Sequence, residues 1–464
     1  MSDIIAPVPS AAQLAWQRSE TNAFFHFGLN TFAGKEWGDG SEDPRDFNPT
    51  ALDCRQWART ARAGGFKVGI LTAKHHDGFC LWPSHVTEHS VQNSPWRDGK
   101  GDLVREFVDA FRAEGLEVGL YLSPWDRHEP CYGDSERYND FYCTQLEELL
   151  TQYGELREVW FDGAIDEGPN GRKQTYDWQR YFDLVRTLQP KAVTFGDGGT
   201  DVRWVGNERG IAGETCWGTV DPNFIRFPGD SGISKANDAL ADADKSERLR
   251  NGDAPNGSGL RVWRPAECDV SIRPGWFYHP EEESEVRTVD NLLDLYFKSV
   301  GRNGTLLLNF PITPEGLVHT VDAERAVAFQ QAKAALFATD LAIDSRIQIS
   351  NAEAEYPIDT VLDAEKNSYW TPGKAGENAT LMLRLPEERT VSIVSLEEAI
   401  EFGQLIAKHR IELQDDSRKS CRVIEGTTVG CKRLHRVDPI LCSTVKLTIS
   451  KSYGESALAA LRLY

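Results

Sequence analysis

Val68-Gly69-Ile70-Leu71-Thr72-Ala73, running into Lys74-His75-His76-Asp77, is the stretch on which the fold turns. Its first six residues read as a strand buried on both faces, and ionisable groups follow at once. The same construction recurs along the chain. Phe24 to Leu29 reads as a strand that carries His26, Val118 to Leu122 runs into Ser123 to Asp126, Glu158 to Phe161 runs into Asp162, and Ala192 to Phe195 is a fifth run. Helical patterns separate them: Ala51 to Ala63 ending at Gly64-Gly65, Leu103 to Glu114 stopped by Gly115, Tyr138 to Tyr153, and Trp178 to Leu188 halted by Pro190. Alternating β and α units build a parallel sheet, either closed or doubly wound. In a closed sheet every strand end converges on one rim, where an active site is built. An open dinucleotide-binding sheet would show a glycine fingerprint after its first strand, and Gly28-Leu29-Asn30 is not one. The reading is therefore α/β, a (β/α)8-like barrel.

The rhythm weakens after about Trp204, and Gly229 to Gly259, polar and acidic, reads as a long rim loop or insertion. Trp263 to Tyr278, a helix from Thr288 to Val300, a strand from Thr305 to Leu308 and a helix from Asp322 to Phe337 complete a first domain, residues 1–340. From Leu341 the pattern changes to alternating runs, Thr380 to Leu385, Val391 to Leu396, Ile406 to Leu413 and Thr444 to Ser450, which predict a C-terminal β-sandwich over residues 341–464. A chain of 464 residues with 40% apolar content can fill two such cores.

The net charge of −20, spread along the chain, argues against a nucleic-acid partner and suits a neutral substrate. The start lacks a basic region leading into an apolar one, and no apolar run reaches eighteen residues. The expectation is no signal peptide, no membrane span and a cytoplasmic location. Nine cysteines, an odd number without a Cys-x-x-Cys pair, predict free thiols and no zinc ribbon. Oligomeric state has no signature in the sequence.

Asp162 ends its strand and precedes Gly163, which would let a substrate come close. A carboxylate there could attack an anomeric carbon; an Asp after a strand can also simply cap a helix or loop. His26, His75 and His76 lie where a barrel rim would gather them, as donors and acceptors for sugar hydroxyls. A metal site competes for them, but adjacent residues of an extended segment point to opposite faces, so His75 and His76 are expected not to share an ion. Arg203 could bind the sugar or steady a carboxylate, or sit on the surface. Thirteen tryptophans offer flat apolar faces for pyranose rings, though most large aromatics serve packing.

Phe24-Phe25-His26-Phe27-Gly28, Lys74-His75-His76-Asp77-Gly78-Phe79 with Trp82, and Glu158-Val159-Trp160-Phe161-Asp162-Gly163 together resemble glycoside hydrolase family 29, the α-L-fucosidases. Further segments are similar to its subgroup acting on α-1,3- and α-1,4-linked branch fucose. These are Asn30-Thr31-Phe32 with Glu36-Trp37-Gly38-Asp39-Gly40, Ser123-Pro124-Trp125-Asp126, Trp204-Val205-Gly206-Asn207-Glu208, Ser271-Ile272-Arg273-Pro274-Gly275-Trp276 and Ser299-Val300-Gly301-Arg302-Asn303-Gly304. Gly403-Gln404 and Gly426-Thr427-Thr428-Val429-Gly430 resemble the discoidin-like sandwich that follows the barrel there.

The resemblance implies a retaining exo-α-L-fucosidase with no cofactor and no metal. Asp162 would be the nucleophile and Glu208 the acid/base, with Glu214 and Glu267 as rivals for the second role. His26, His75, His76 and Glu36 would hold the sugar, Phe24, Trp160 and Tyr121 would surround its methyl group, and Trp37, Trp82, Trp125 and Trp276 would complete the binding surface. The partner is a fucosylated oligosaccharide. Two other classes stay open: a carbohydrate-binding protein on an inactive barrel, and a metal-dependent hydrolase.

Overall fold

In the computed structural model, which describes residues 7–232, 243–257, 259–350, 361–362, 369–371, 378–417 and 421–464, eight parallel strands close into a barrel. They are β1 (Thr21–His26), β2 (Val68–Lys74), β3 (Glu117–Leu122), β4 (Glu158–Trp160), β5 (Val193–Gly196), β6 (Val202–Trp204), β7 (Ala266–Ser271) and β8 (Gly304–Pro311), with β8 returning to β1 from Thr21↔Leu306 to His26↔Pro311. Their continuous apolar runs follow from burial on both faces. Phe24, Val68, Ile70, Tyr121, Trp160, Val193, Phe195, Val202 and Leu307 point inward. Phe25, Leu71, Ala73, Leu120 and Val159 point outward against the helices.

Helices cover the strands where the sequence placed them, at Cys54–Ala63, Leu103–Ala113, Ser135–Gln152, Trp178–Leu188, Val289–Lys298 and Thr320–Leu336. Asp53, Asp102, Asp177 and Thr288 each accept a hydrogen bond from the first turn that follows, which fixes where four of these helices begin. One crossover lacks its helix: β5 and β6 are joined by residues 197–201 alone and overlap only at Phe195↔Val202 and Gly196↔Arg203. Asp201 makes the tight return possible by accepting from both the backbone N–H and the hydroxyl of Thr194. At the opposite end from the strand-end rim, the helix Ala11–Gln17 inserts Trp16 into the barrel, where its indole donates to Glu158 Oε2 at 2.8 Å.

Between β6 and β7 the chain forms a short antiparallel pair, Thr219–Val220 with Val262–Trp263, and a helix at Ala243–Asn251. The stretch expected to be a rim loop thus contains a helix, while residues 233–242 and 258 lie outside the described residues.

The C-terminal part is a six-stranded antiparallel sheet: β9 (Arg346–Ser350), β10 (Ala379–Glu398), β11 (Ile406–Gln414), β12 (Cys421–Gly426), β13 (Arg433–Ser452) and β14 (Leu458–Leu463). Thr380 to Leu385 and Val391 to Leu396, expected as two strands, are one long strand with register shifts between Arg384 and Arg389 and between Val391 and Ile393. The first half of β10 pairs with β9 and the second with β14, and one apolar core gathers Leu381, Leu383, Val445 and Leu447 with Val394, Leu396, Leu461 and Leu463. All nine cysteines are free.

Candidate active site

The strand ends open into a cavity of about 320 Å³ lined by Phe24, His26, Trp37, His75, His76, Tyr121, Trp160, Asp162, Glu208 and Trp276 among others. Ten of the fourteen residues singled out in the sequence are therefore brought together. Asp162 sits just past β4, and its carboxylate is fixed at both oxygens: Oδ1 accepts from the Ala164 backbone N–H at 2.8 Å and Oδ2 from the Tyr121 hydroxyl at 2.9 Å. The side chain is still 28% exposed, open to the cavity. Glu208 follows β6 and its Oε2 accepts from the Trp276 indole at 3.1 Å. Both carboxyl groups thus face one space with no lysine or arginine among the described residues of its lining.

The histidines differ in what they offer. Ser123 spends its hydroxyl proton on the Trp125 carbonyl, so it accepts from His76 Nδ1 at 2.7 Å and leaves His76 Nε2 with a lone pair. His26 Nδ1 likewise donates to Asn309 Oδ1 at 2.8 Å, the Asn309 amide N–H groups being used on Ser271 and the Trp276 carbonyl. The Asn30 amide donates to His75 Nδ1 at 3.3 Å, which makes His75 Nε2 a donor. Burial holds His75 well below the usual histidine range and lowers His76 to about 4, the second partly offset by Asp162, whose Oδ2 lies 3.8 Å from His76 Nε2. These two rings are neutral hydrogen-bonding groups near neutral pH.

His75 and His76 do not point apart as the extended-chain argument predicted. The β2–β3 register slips between Thr72 and Lys74, β2 ends at Lys74, and both rings turn into the cavity with centroids 4.2 Å apart. Gly163, expected to make room for substrate, instead makes room for backbone: a Cβ there would lie 2.7 Å from the Gly229 nitrogen and 2.9 Å from its Cα.

Four singled-out residues lie outside the lining. Glu36 accepts from the backbone N–H groups of Trp276 and Phe277 and from His279, and so holds the loop that carries Trp276. Trp125 backs the wall, 5.0 Å from the His76 ring and 6.0 Å from Trp37. Trp82 is wholly buried, its indole donating to Glu148 at 2.6 Å, because its loop folds onto the helix Ser135–Gln152. Arg203 is also sealed, bonded to the Leu249 and Arg264 carbonyls, since its side chain leaves β6 away from the barrel mouth. Of the rival carboxylates, Glu214 is exposed and paired with Arg302 and Arg433, and Glu267 is buried in the barrel beneath Trp160. Neither lines the cavity.

Sequence reasoning missed Phe195, Asp197, Trp204 and Asp269, which do. Phe195 stacks on Trp160 at 4.0 Å. Asp197 accepts from the Gly229 and Ser231 backbone N–H groups, and burial raises its carboxyl to about 6. Asp269 was discoverable as a charge inside the strand Ala266-Glu267-Cys268-Asp269, where an apolar residue is the rule.

The α-L-fucosidase family model matches residues 11–218. Arabidopsis thaliana α-L-fucosidase 1 is 41% identical over 467 residues, covering 99% of this chain and 88% of its own. This chain belongs to the α-L-fucosidase family. Solved structures agree over the whole length: SpGH29 at TM-score 0.90 and 37% identity, covering 99% of this chain and 98% of its own, and a Ruminococcus gnavus GH29 fucosidase in complex with fucose at TM-score 0.85 and 32% identity, covering 99% and 95%. The likeness spans both the barrel and the C-terminal sheet.

Proposed function

We propose that this glycoside hydrolase removes terminal α-L-fucose from oligosaccharides with retention, Asp162 attacking and Glu208 serving as acid and then base. The observation that carries the reading is the shared cavity. Asp162 is held by Tyr121 and Ala164, and Glu208 enters from another strand end, among neutral imidazoles and aromatic rings. Hydrogen bonds to both oxygens aim the Asp162 carboxyl group. Its attack forms an ester with C1 as the C1–O bond breaks, and the leaving oxygen takes the Glu208 proton. Water, losing a proton to Glu208, then opens the ester from the opposite face. His26 and His76 accept from sugar hydroxyls through Nε2 while His75 donates. Phe24, Trp160 and Phe195 give an apolar wall that suits the C5 methyl group. The α-1,3/1,4 preference rests on the subgroup-like segments and on the mouth, where Trp37 and Ile165 stand 48% and 44% exposed as a platform for a neighbouring sugar.

Release of 4-nitrophenol from the aryl α-L-fucoside tests the roles. Asp162→Ala is expected to lose about a thousandfold or more in kcat, and azide to restore part of the activity of Glu208→Ala. Early NMR spectra should show α-fucose as the first product, and branched Lewis-type trisaccharides should be cleaved in preference to α-1,2-linked fucose. Asp162→Ala with near-parental turnover would overturn the assignment, and initial release of β-fucose would overturn retention.

A further inference from the structure

The mechanism gives no work to two carboxyl groups of the cavity: Asp197, both of whose oxygens are taken by the Gly229 and Ser231 N–H groups, and Asp269. Asp269 lies on β7, is 3% exposed, lines the cavity beside Asp162 and Glu208, and its Oδ1 accepts from the Trp204 indole at 2.8 Å. Four carboxyl groups, Asp162, Asp197, Glu208 and Asp269, thus share an enclosure with no lysine or arginine among the described residues of its lining, and two of the three lining histidines are held neutral. Like charges so placed cannot all ionise. Asp162 already holds a hydroxyl and a backbone N–H on its two oxygens.

Burial and the carboxyl groups that face Asp269 oppose its ionisation and outweigh the Trp204 and backbone hydrogen bonds, which favour the anion. Glu208 approaches from the segment after β6, Asp162 from the end of β4, and Glu267 and Cys268 precede it on β7. Burial first, then Glu208, push its carboxyl well above the usual range. With the indole N–H engaged at Oδ1, the proton belongs on Oδ2.

We propose that Asp269 is a third substrate-facing carboxyl group, kept as the neutral acid, which donates its O–H to a hydroxyl oxygen of the bound fucosyl unit. The proposal rests on the fucosidase reading and adds to it a hydrogen-bond donor in a cavity otherwise rich in acceptors. A neutral acid and an amide present the same pair of functions, one acceptor for Trp204 and one donor for the sugar, whereas a carboxylate presents only acceptors.

The test compares Asp269→Asn with Asp269→Ala on 4-nitrophenyl α-L-fucoside, with melting temperatures recorded for each. Asn should lower kcat/KM by about fivefold or less and Ala by about thirtyfold or more, chiefly through KM, because Ala leaves the indole and the sugar hydroxyl without partners. The parent's KM should rise at alkaline pH as Asp269 ionises, and that rise should be absent from the Asn variant. Infrared difference spectra of the parent at neutral pH, with and without L-fucose, should show a protonated carboxyl band that shifts on binding and is missing from the Asn variant. An Asn variant as impaired as Ala, or a parent without the band, overturns the proposal; so does a folded Ala variant with parental KM. If Ala does not fold, the Asn variant and the band decide. A parent that fails to hydrolyse the aryl fucoside overturns the fucosidase reading itself, which the spectra do not measure.

Discussion

Gly163 shows how closely the reacting carboxylate depends on its neighbour. Its backbone crosses that of Gly229, whose φ of +87° is in the left-handed region, and a Cβ on Gly229 would meet the Gly163 carbonyl oxygen at 2.6 Å. Asp197 ties the same crossing down through the Gly229 and Ser231 N–H groups. A methyl group at position 163 would press on backbone, which cannot rotate away as a flexible side chain can. Gly163→Ala is therefore expected to cost about 1–3 kcal/mol of stability and to lower kcat/KM for the aryl fucoside by more than tenfold, as overpacking displaces Asp162. Unchanged kinetics and melting temperature would show that the crossing is slack. The sequence revealed that position 163 needs glycine, but the partner is 66 residues away, and only the folded chain names it. The same limit applies to the histidines: their presence was legible, while the tautomers depend on contacts with Ser123, Asn309 and Asn30 that form only in the folded chain.

At the scale of elements, β4 and β7 each place a carboxyl inside the barrel. Glu158 Oε2 accepts from Trp16 and Glu267 Oε1 from Trp160, while Glu158 Oε1 and Glu267 Oε2 are buried and meet no donor from another side chain. A proton shared between the two carboxyls satisfies both oxygens, and burial raises both above the usual carboxylate range. The consequence for stability has a definite sign. Below the ordinary carboxyl pKa, about 4.3, folded and unfolded chains both hold the protons; above it the unfolded chain releases protons that the folded one keeps, so stability falls as pH rises. Thermal melts of the parent should fall more steeply between pH 5 and 8 than those of Glu267→Gln, whose amide keeps the Trp160 bond without a proton to lose. Equal slopes would count against the shared proton. Strands and helices themselves were largely legible, because two-sided burial writes continuous apolar runs and glycine or proline marks where several helices stop. The β5–β6 return was not: five residues rich in glycine look like any loop until Asp201 is seen folding back on Thr194.

Across the whole molecule, barrel and C-terminal sheet meet through buried polar contacts. The Gln404 side chain accepts from the Gly218 N–H and the Asn303 amide and donates to the Cys216 carbonyl, and Thr428 Oγ1 accepts from the Cys216 N–H. Such groups are costly to leave unpaired, so Gln404→Ala should destabilise the chain by about 1–3 kcal/mol, measured by urea titration. Both parts should still unfold in one transition, and a second transition would show that the contacts do not couple them. What the sequence determined by itself is the alternation of elements, the closure implied by polar residues after successive strands, and the chemical types gathered at the rim, since local periodicity and residue chemistry carry that information. Only the tertiary structure decided that Trp82 and Arg203 are sealed away, that Glu208 and not Glu214 or Glu267 faces Asp162, and that Asp269 joins them. Each of those outcomes depends on where a side chain points once distant segments pack, which no local pattern encodes.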